Sequence, residues 1–392
     1  MAVRQTALRG KVPAARRKRE LVRSGFDLPF FVLVMILLMV GVVMMFSASY
    51  AYAYYNHNGD SYYYIRRQAV WAAGGVLVML FVASQDYHIF HKLVWPVTVA
   101  SYGLLVLVLF MPAISHVKRW IVVGPLNFQP SEVAKFAVVL LFSHLIAIYS
   151  GRKNNQMKTF RYGVLPFIVV LASIAVLMVL EPHLSGTIII MVIGFVLMFI
   201  GGTSIKWFLG GAGIGAAGLL ALVLRTDFIT YAKSRLIYWL DPFKAPQGKG
   251  WQTIQSLYAI GSGGVMGLGL GQSRQKFLYI SEPQNDFVFP VVCEELGLVG
   301  AVLVIVLFAL LVWRGYVIAM RAPDKFGSLL SVGLITQVGL QAVLNIAVVT
   351  NTVPNTGISL PFFSYGGSSL VMLLFEMGMI LSVSRFSSVE QT

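Results

Sequence analysis

The chain has 392 residues, 57% of them hydrophobic and only 11% charged, at a mean hydropathy of +0.78. A soluble globular domain carries roughly 25% charged residues, so these values exclude one and point to a protein embedded in lipid. The net charge of +15 does not imply nucleic acid, because the lysines and arginines flank apolar segments and form no aromatic-interleaved patch.

Lipid cannot satisfy open backbone groups, so each apolar run of span length is read as a helix. In chain order ten spans are predicted, over 28–50, 68–84, 93–111, 131–150, 163–180, 185–202, 205–224, 286–313, 327–350 and 366–384. The expected fold is an all-α integral membrane protein with a basic arm over 1–27, one polytopic domain over 28–385 and a short tail over 386–392. The first span follows the basic stretch "RRKRE", as the apolar core of a signal peptide would. It exceeds the ~7–15 residues of such a core and further spans follow, so a retained helix is expected. Lysine and arginine number eight up to Arg23, four in 151–161 and three from Arg314 to Lys325. Those segments, and both termini, are therefore expected on the cytoplasmic side. The single cysteine, Cys293, excludes an internal disulfide.

Two segments break the rhythm of spans and short loops. The region 225–285, expected outside the cell, contains Trp239, Phe243, Trp251 and Tyr258, which suit a loop at the outer membrane interface. Within it "GSGGVMGLGLGQS" looks like a nucleotide loop, but no strand precedes it, so flexible backbone is the better reading. The second segment, "NTVPNTGISLPFFSYGGSS" over 351–369, is rich in turn residues.

The stretch "SEPQNDFVFPVVCEELG" gathers Glu282, Asp286, Glu294 and Glu295, four of the fifteen acids of the chain. Asp286 lies where the long loop enters a span, so it suits either a base of tuned pKa or a helix N-cap. Glu294 and Glu295 fall ~12 Å deeper, where acids are costly and face a bundle interior or a wet cavity. Consecutive residues point ~100° apart, so the two are not expected to share one cavity. Glu132 and Lys135, three apart on one helix face, can pair. Lys118 and Arg119, Arg66 and Arg67, and Arg235, Arg274 and Lys276 make the external face basic. Arginine forks and lysine point charges suit a diphosphate, so the chemistry suggested is a phosphorylated lipid reacting beside a carboxylate.

The motifs "KRWI", "FQPSEVAKF", "RLIYWLDPF", the long-loop sequence through "NDFVFPVVCEELG" and "PNTGISLPFFSYGGSSL" resemble the SEDS family of shape, elongation, division and sporulation proteins. The resemblance runs from the first span to residue 385 and leans toward the FtsW type. It implies a ten-helix peptidoglycan glycosyltransferase that polymerises lipid II outside the cytoplasmic membrane, partnered by a class B penicillin-binding protein and other division or elongation proteins. It matches Asp286 to the essential aspartate of the family, Glu132 and Lys135 to its "PSE-AK" pair, and Lys118 and Arg119 to the basic pair before the tryptophan. Arg66, Arg67, Arg235, Lys276, Glu282 and Ser364 complete the candidate substrate contacts. His183 stands where many members have aspartate, which puts a role for that turn in doubt. A divalent cation, Mg2+ or Mn2+, is left open by the residues. So are two rival readings, a lipid II flippase and a scaffold that recruits a transpeptidase.

Overall fold

The computed structural model describes residues 25–112, 118–123, 126–151, 156–181, 183–210, 239–244, 246, 248 and 250–386. Eight helices among them are long and apolar enough to cross a membrane. They are α1 (Leu28–Asn56), α2 (Tyr63–Ser84), α3 (His88–Leu109), α4 (Pro130–Ser150), α5 (Phe160–Leu180), α8 (Val288–Arg321), α9 (Lys325–Val349) and α10 (Gly367–Arg385). Between them lie the shorter apolar α6 (Leu184–Gly201) and the twelve-residue α7 (Trp251–Ser262) of the long loop. The predicted span 205–224 is helical as far as Gly210; the rest lies outside the described residues, as do the arm up to residue 24 and the tail from 387.

Three features differ from the expectation. A small hairpin, β1 (Ile121–Val123) against β2 (Leu126–Phe128), interrupts the helices with Ile121 opposite Phe128. α2 begins at Tyr63, not 68, because its first turns are polar yet helical, and this places Arg66 and Arg67 on the helix. α8 has 34 residues and is broken at Gly297, whose φ of 67° and ψ of −166° are far from helical. At ~1.5 Å per residue α8 is longer than a ~30 Å hydrocarbon layer requires, so its ends project.

The break has a physical reason. The "GSGGVMGLGLGQS" segment packs backbone to backbone against α8, where a Cβ on Gly297 would stand 2.3 Å from the Gly267 nitrogen. The amides of Leu268 and Gly269 donate to the Glu294 and Glu295 carbonyls, and those of Leu298 and Val299 donate to the Gly264 and Val265 carbonyls. Loop backbone thus replaces the helical bonds that the break removes, as hydrocarbon demands. The flexibility expected for this glycine-rich segment is corrected: it is docked into the helix.

At the end of the bundle bearing the α1 N-terminus, polar groups close on one another. Arg314 binds Asp27 through two bonds of 2.9 and 2.7 Å, and the Asp27 amide donates to Ser384. Tyr87 donates to Asp324, and Arg385 donates to the Ala83 and Ser84 carbonyls ending α2.

Candidate active site

A cavity of about 500 Å³ opens at the opposite end, where the long loop, the hairpin, the α5–α6 turn and the 357–367 segment converge. The loop preceding α8 contributes Glu282, Asn285 and Asp286; the hairpin region contributes Arg119, Trp120 and Asn127; α4 contributes Glu132 and Lys135. His183 and Ser185 come from the α5–α6 turn, Arg67 and Trp71 from α2, and Tyr365 from the loop before α10.

Asp286 is half-buried, and it does not cap α8: the N-cap is Phe287, and no side chain bonds there. Its backbone is fixed, because Asn345 of α9 donates through Nδ2 to the Asp286 carbonyl at 2.8 Å and to the Ile358 carbonyl at 2.6 Å. Gly357, at φ 66°, passes so close that a Cβ there would stand 3.4 Å from Asp286 Oδ2. Burial pushes the Asp286 carboxyl up to about 6; its own backbone amide works against this, and the charge of Glu282 adds to it. A carboxylate of that pKa is ionised at neutral pH and basic enough to take a proton. Glu282 accepts from Asn285 Nδ2 at 2.6 Å.

Lys135, 2% exposed, is 2.8 Å from Glu132, and the pair faces the cavity. Behind Glu132 lies a small polar void lined also by Gln337, Ser364 and Glu376. Gln337 Nε2 donates to both Glu376 oxygens, at 3.2 and 3.0 Å, which gives that buried acid the partner the sequence did not reveal. Arg67 stacks on Tyr63 at 4.3 Å, and its charge acts on Tyr365 against the rise that burial causes.

Other predicted contacts sit elsewhere. Arg66 is exposed and pairs with Asp60. Lys118 is exposed and donates to the Leu109 carbonyl at 2.9 Å. Ser364 accepts from the Leu360 amide and reaches only the small void behind Glu132. Arg235 lies outside the described residues. Lys276 is 2% exposed and off the cavity wall, held by Glu295 at 2.9 Å, Ser47 at 3.1 Å and the Gly271 carbonyl at 2.7 Å. Desolvating a lysine requires such partners, and here they are protein groups.

Glu294 and Glu295 are fully buried, and neither lines the cavity. Glu294 accepts from the Ser273 hydroxyl and from the amides of Arg274 and Gln275. Glu295 accepts from Ser47 of α1, from the amides of Gly271 and Ser273, and from Lys276. The two acids clamp the loop to α8 and α1.

Sequence reasoning missed Asn345, Trp71 and Tyr365. Asn345 carried a usable signal, since an amide within an apolar span needs a partner. Among the described residues no three His, Cys, Asp or Glu side chains gather as metal ligands. Mg2+ needs only one or two carboxylates beside phosphate oxygens, and Glu282 with Asp286 is the pair that would supply them.

The Cell cycle protein family of FtsW, RodA and SpoVE matches residues 28–389. Stage V sporulation protein E of Bacillus subtilis is 40% identical over 332 residues, 84% of this chain and 88% of that protein. A probable peptidoglycan glycosyltransferase FtsW of Geobacter sulfurreducens is 36% identical over 330 residues, 83% of this chain and 86% of the relative. Among solved structures, a peptidoglycan synthase complex that coordinates polymerization and crosslinking aligns at a TM-score of 0.74 and 29% identity, covering 92% of this chain and 98% of the other. The crystal structure of the rod shape determining protein RodA of Thermus thermophilus aligns at 0.67 and 27% identity, covering 93% and 98%.

Proposed function

We propose, from the premise that this chain belongs to the FtsW, RodA and SpoVE family of cell cycle proteins, that its large cavity joins lipid-linked disaccharide units into glycan strands. The activity is that of a peptidoglycan glycosyltransferase in a multi-pass membrane protein. The observation that carries the site assignment is the half-buried Asp286, held by Asn345 and facing the same cavity as Arg67, Arg119 and Lys135.

In the reaction the 4-hydroxyl of the acceptor sugar attacks C1 of the donor. Its proton passes to the Asp286 carboxylate, a new C–O bond forms, and the bond from C1 to the lipid diphosphate breaks. Arg119, Lys135 and Arg67 stand where the departing diphosphate gains charge, and fixed cations in a poorly solvated cavity stabilise that charge strongly. A divalent ion at Glu282 and Asp286 would add neutralisation of the same charge.

The substrate is lipid II and the partner a class B penicillin-binding protein, whose membrane helix would cover part of the exposed apolar surface. The membrane is the cytoplasmic one, with both termini inside. Phe277→Cys labelled by an impermeant thiol reagent on intact cells supports that topology, and its protection overturns it. The transporter reading requires deep acids on a translocation path, whereas Glu294 and Glu295 are committed to the loop. Glycan synthesis from labelled lipid II by the purified protein, with and without its partner, tests the function: no polymer in either case would refute it.

A further inference from the structure

The small void behind Glu132 is a side chamber of the large cavity, about 20 Å³ in volume, between α4, α9, α10 and the 359–364 segment. Glu132, Gln341, Ser359 and Ser369 line both spaces, so the chamber is reached from the cavity. One water needs roughly 10–15 Å³, so the chamber takes one small occupant with little room to spare.

The chamber is acidic and incompletely compensated. Glu132 and the fully buried Glu376 both line it, and among the described residues no lysine or arginine does. Lys135 stands 2.8 Å from Glu132 and offsets one carboxylate. The other, Glu376, accepts from Gln337 Nε2 at both of its oxygens, at 3.2 and 3.0 Å. Accepting at both oxygens suits the ionised form, because a neutral acid would turn its hydroxyl to an acceptor. An acceptor is at hand and unused: Gln337 is 2% exposed, and its Oε1 has no hydrogen-bond partner. An ionised acid inside the membrane is costly unless positive charge meets it, and a buried amide oxygen without a donor adds to that cost. A cation between the two carboxylates and Gln337 Oε1 answers both.

We infer that this chamber binds one small monovalent cation of the sodium class, held by Glu132, Glu376 and Gln337 Oε1. All three are hard oxygen donors, which suit an alkali cation and not a soft metal. Charge selects the valence, since two carboxylates and one lysine leave a single uncompensated negative charge. A divalent ion would overshoot it, and Mg2+ keeps several waters for which the chamber has no room. The site stands apart from the polymerase reading, and its test measures no polymer, so either can fail alone.

The test is thermal unfolding of the purified full-length protein in detergent, with NaCl replacing choline chloride at constant ionic strength. Choline is too large for the chamber. A ligand of the native state raises the unfolding temperature with its concentration, so wild type should gain on the order of 2 °C, saturably. Glu376→Gln removes the uncompensated charge at nearly the same volume, so its unfolding temperature should be indifferent to sodium. A wild-type curve flat in sodium overturns the site and leaves Glu376 holding a proton instead. An equal rise in Glu376→Gln overturns it too, because the ion then binds elsewhere. Should Glu376→Gln not fold, equilibrium dialysis of wild type against radioactive sodium decides. One ion bound per chain supports the site, and none overturns it.

Discussion

The acids of one short stretch, 282–295, part into two regions of opposite character. At the clamp, Glu294 and Glu295 accept from three amide or hydroxyl donors each, and Lys276 completes the second set. At the cavity, Asp286 and Glu282 line open space. A satisfied buried network rigidifies, whereas carboxylates on a cavity wall stay open to a ligand. Depth in the membrane does not separate structural acids from functional ones here; what each carboxylate faces does.

The comparison breaks most sharply at Asp286. Asp286→Asn should lower polymerisation by about 10²–10⁴-fold, read as strand length from labelled lipid II. The same variant should be no less stable. A carboxyl raised from 3.8 to about 6 favours folding fully below its unfolded value, and that contribution is lost as pH rises through 6. At pH 7 the native charge is thus a burden that asparagine lacks, and thermal unfolding in detergent checks it.

At the clamp the order should reverse. Lys276→Ala leaves Glu295 buried and unpaired, a loss of about 3–5 kcal/mol, visible first as a lower unfolding temperature. Adding Glu295→Gln should recover part of it. Loss of polymerisation in Lys276→Ala with unchanged stability would show that the lysine serves substrate after all.

The pH profile gives a smaller effect. Since the base must be deprotonated, kcat should be level above pH 6 and fall about tenfold per unit below it. An acid limb centred near 4 would mean that Asp286 is hydrated in the working enzyme.

The smallest effect separates two neighbours. Arg67 faces the cavity while Arg66 pairs with Asp60 at the surface, where such pairs contribute about 0–1 kcal/mol. Arg67→Gln should raise KM, and Arg66→Gln should leave kcat and KM within about twofold. Equal defects would mean that the two arginines share one task.

Apolar run length alone placed α1 to α6 and α8 to α10, because lipid enforces one backbone solution, but not α7, which lies within the predicted long loop. The i, i+3 pairing of Glu132 and Lys135 was equally legible, being local. The contacts that join distant residues were not. Ser47 and Glu295 lie 248 positions apart, and nothing in either segment names the other. The same holds for Asn345, whose bond to the Asp286 carbonyl spans 59 positions. Lys276 illustrates the opposite error: a basic residue in a loop reads as a ligand contact until its burial is known. Arg66 and Arg67 read alike as a pair, and only the helix phase of α2 distinguishes them.

The break at Gly297 bears on how this protein is made. α8 cannot be handed to lipid as a finished span, since its carbonyls at Glu294 and Glu295 and its amides at Leu298 and Val299 are matched by loop residues 264–269. Those residues precede α8 in the chain, so the ribosome delivers the matching piece before the helix that requires it. Biogenesis of this span is then a two-part event in which the loop must fold back before the helix leaves the insertion machinery. A nascent chain ending at Arg321 should integrate its last span, and deletion of 263–271 from it should leave that span extractable by alkali. The loop is in this sense an intramolecular chaperone that stays in the finished protein.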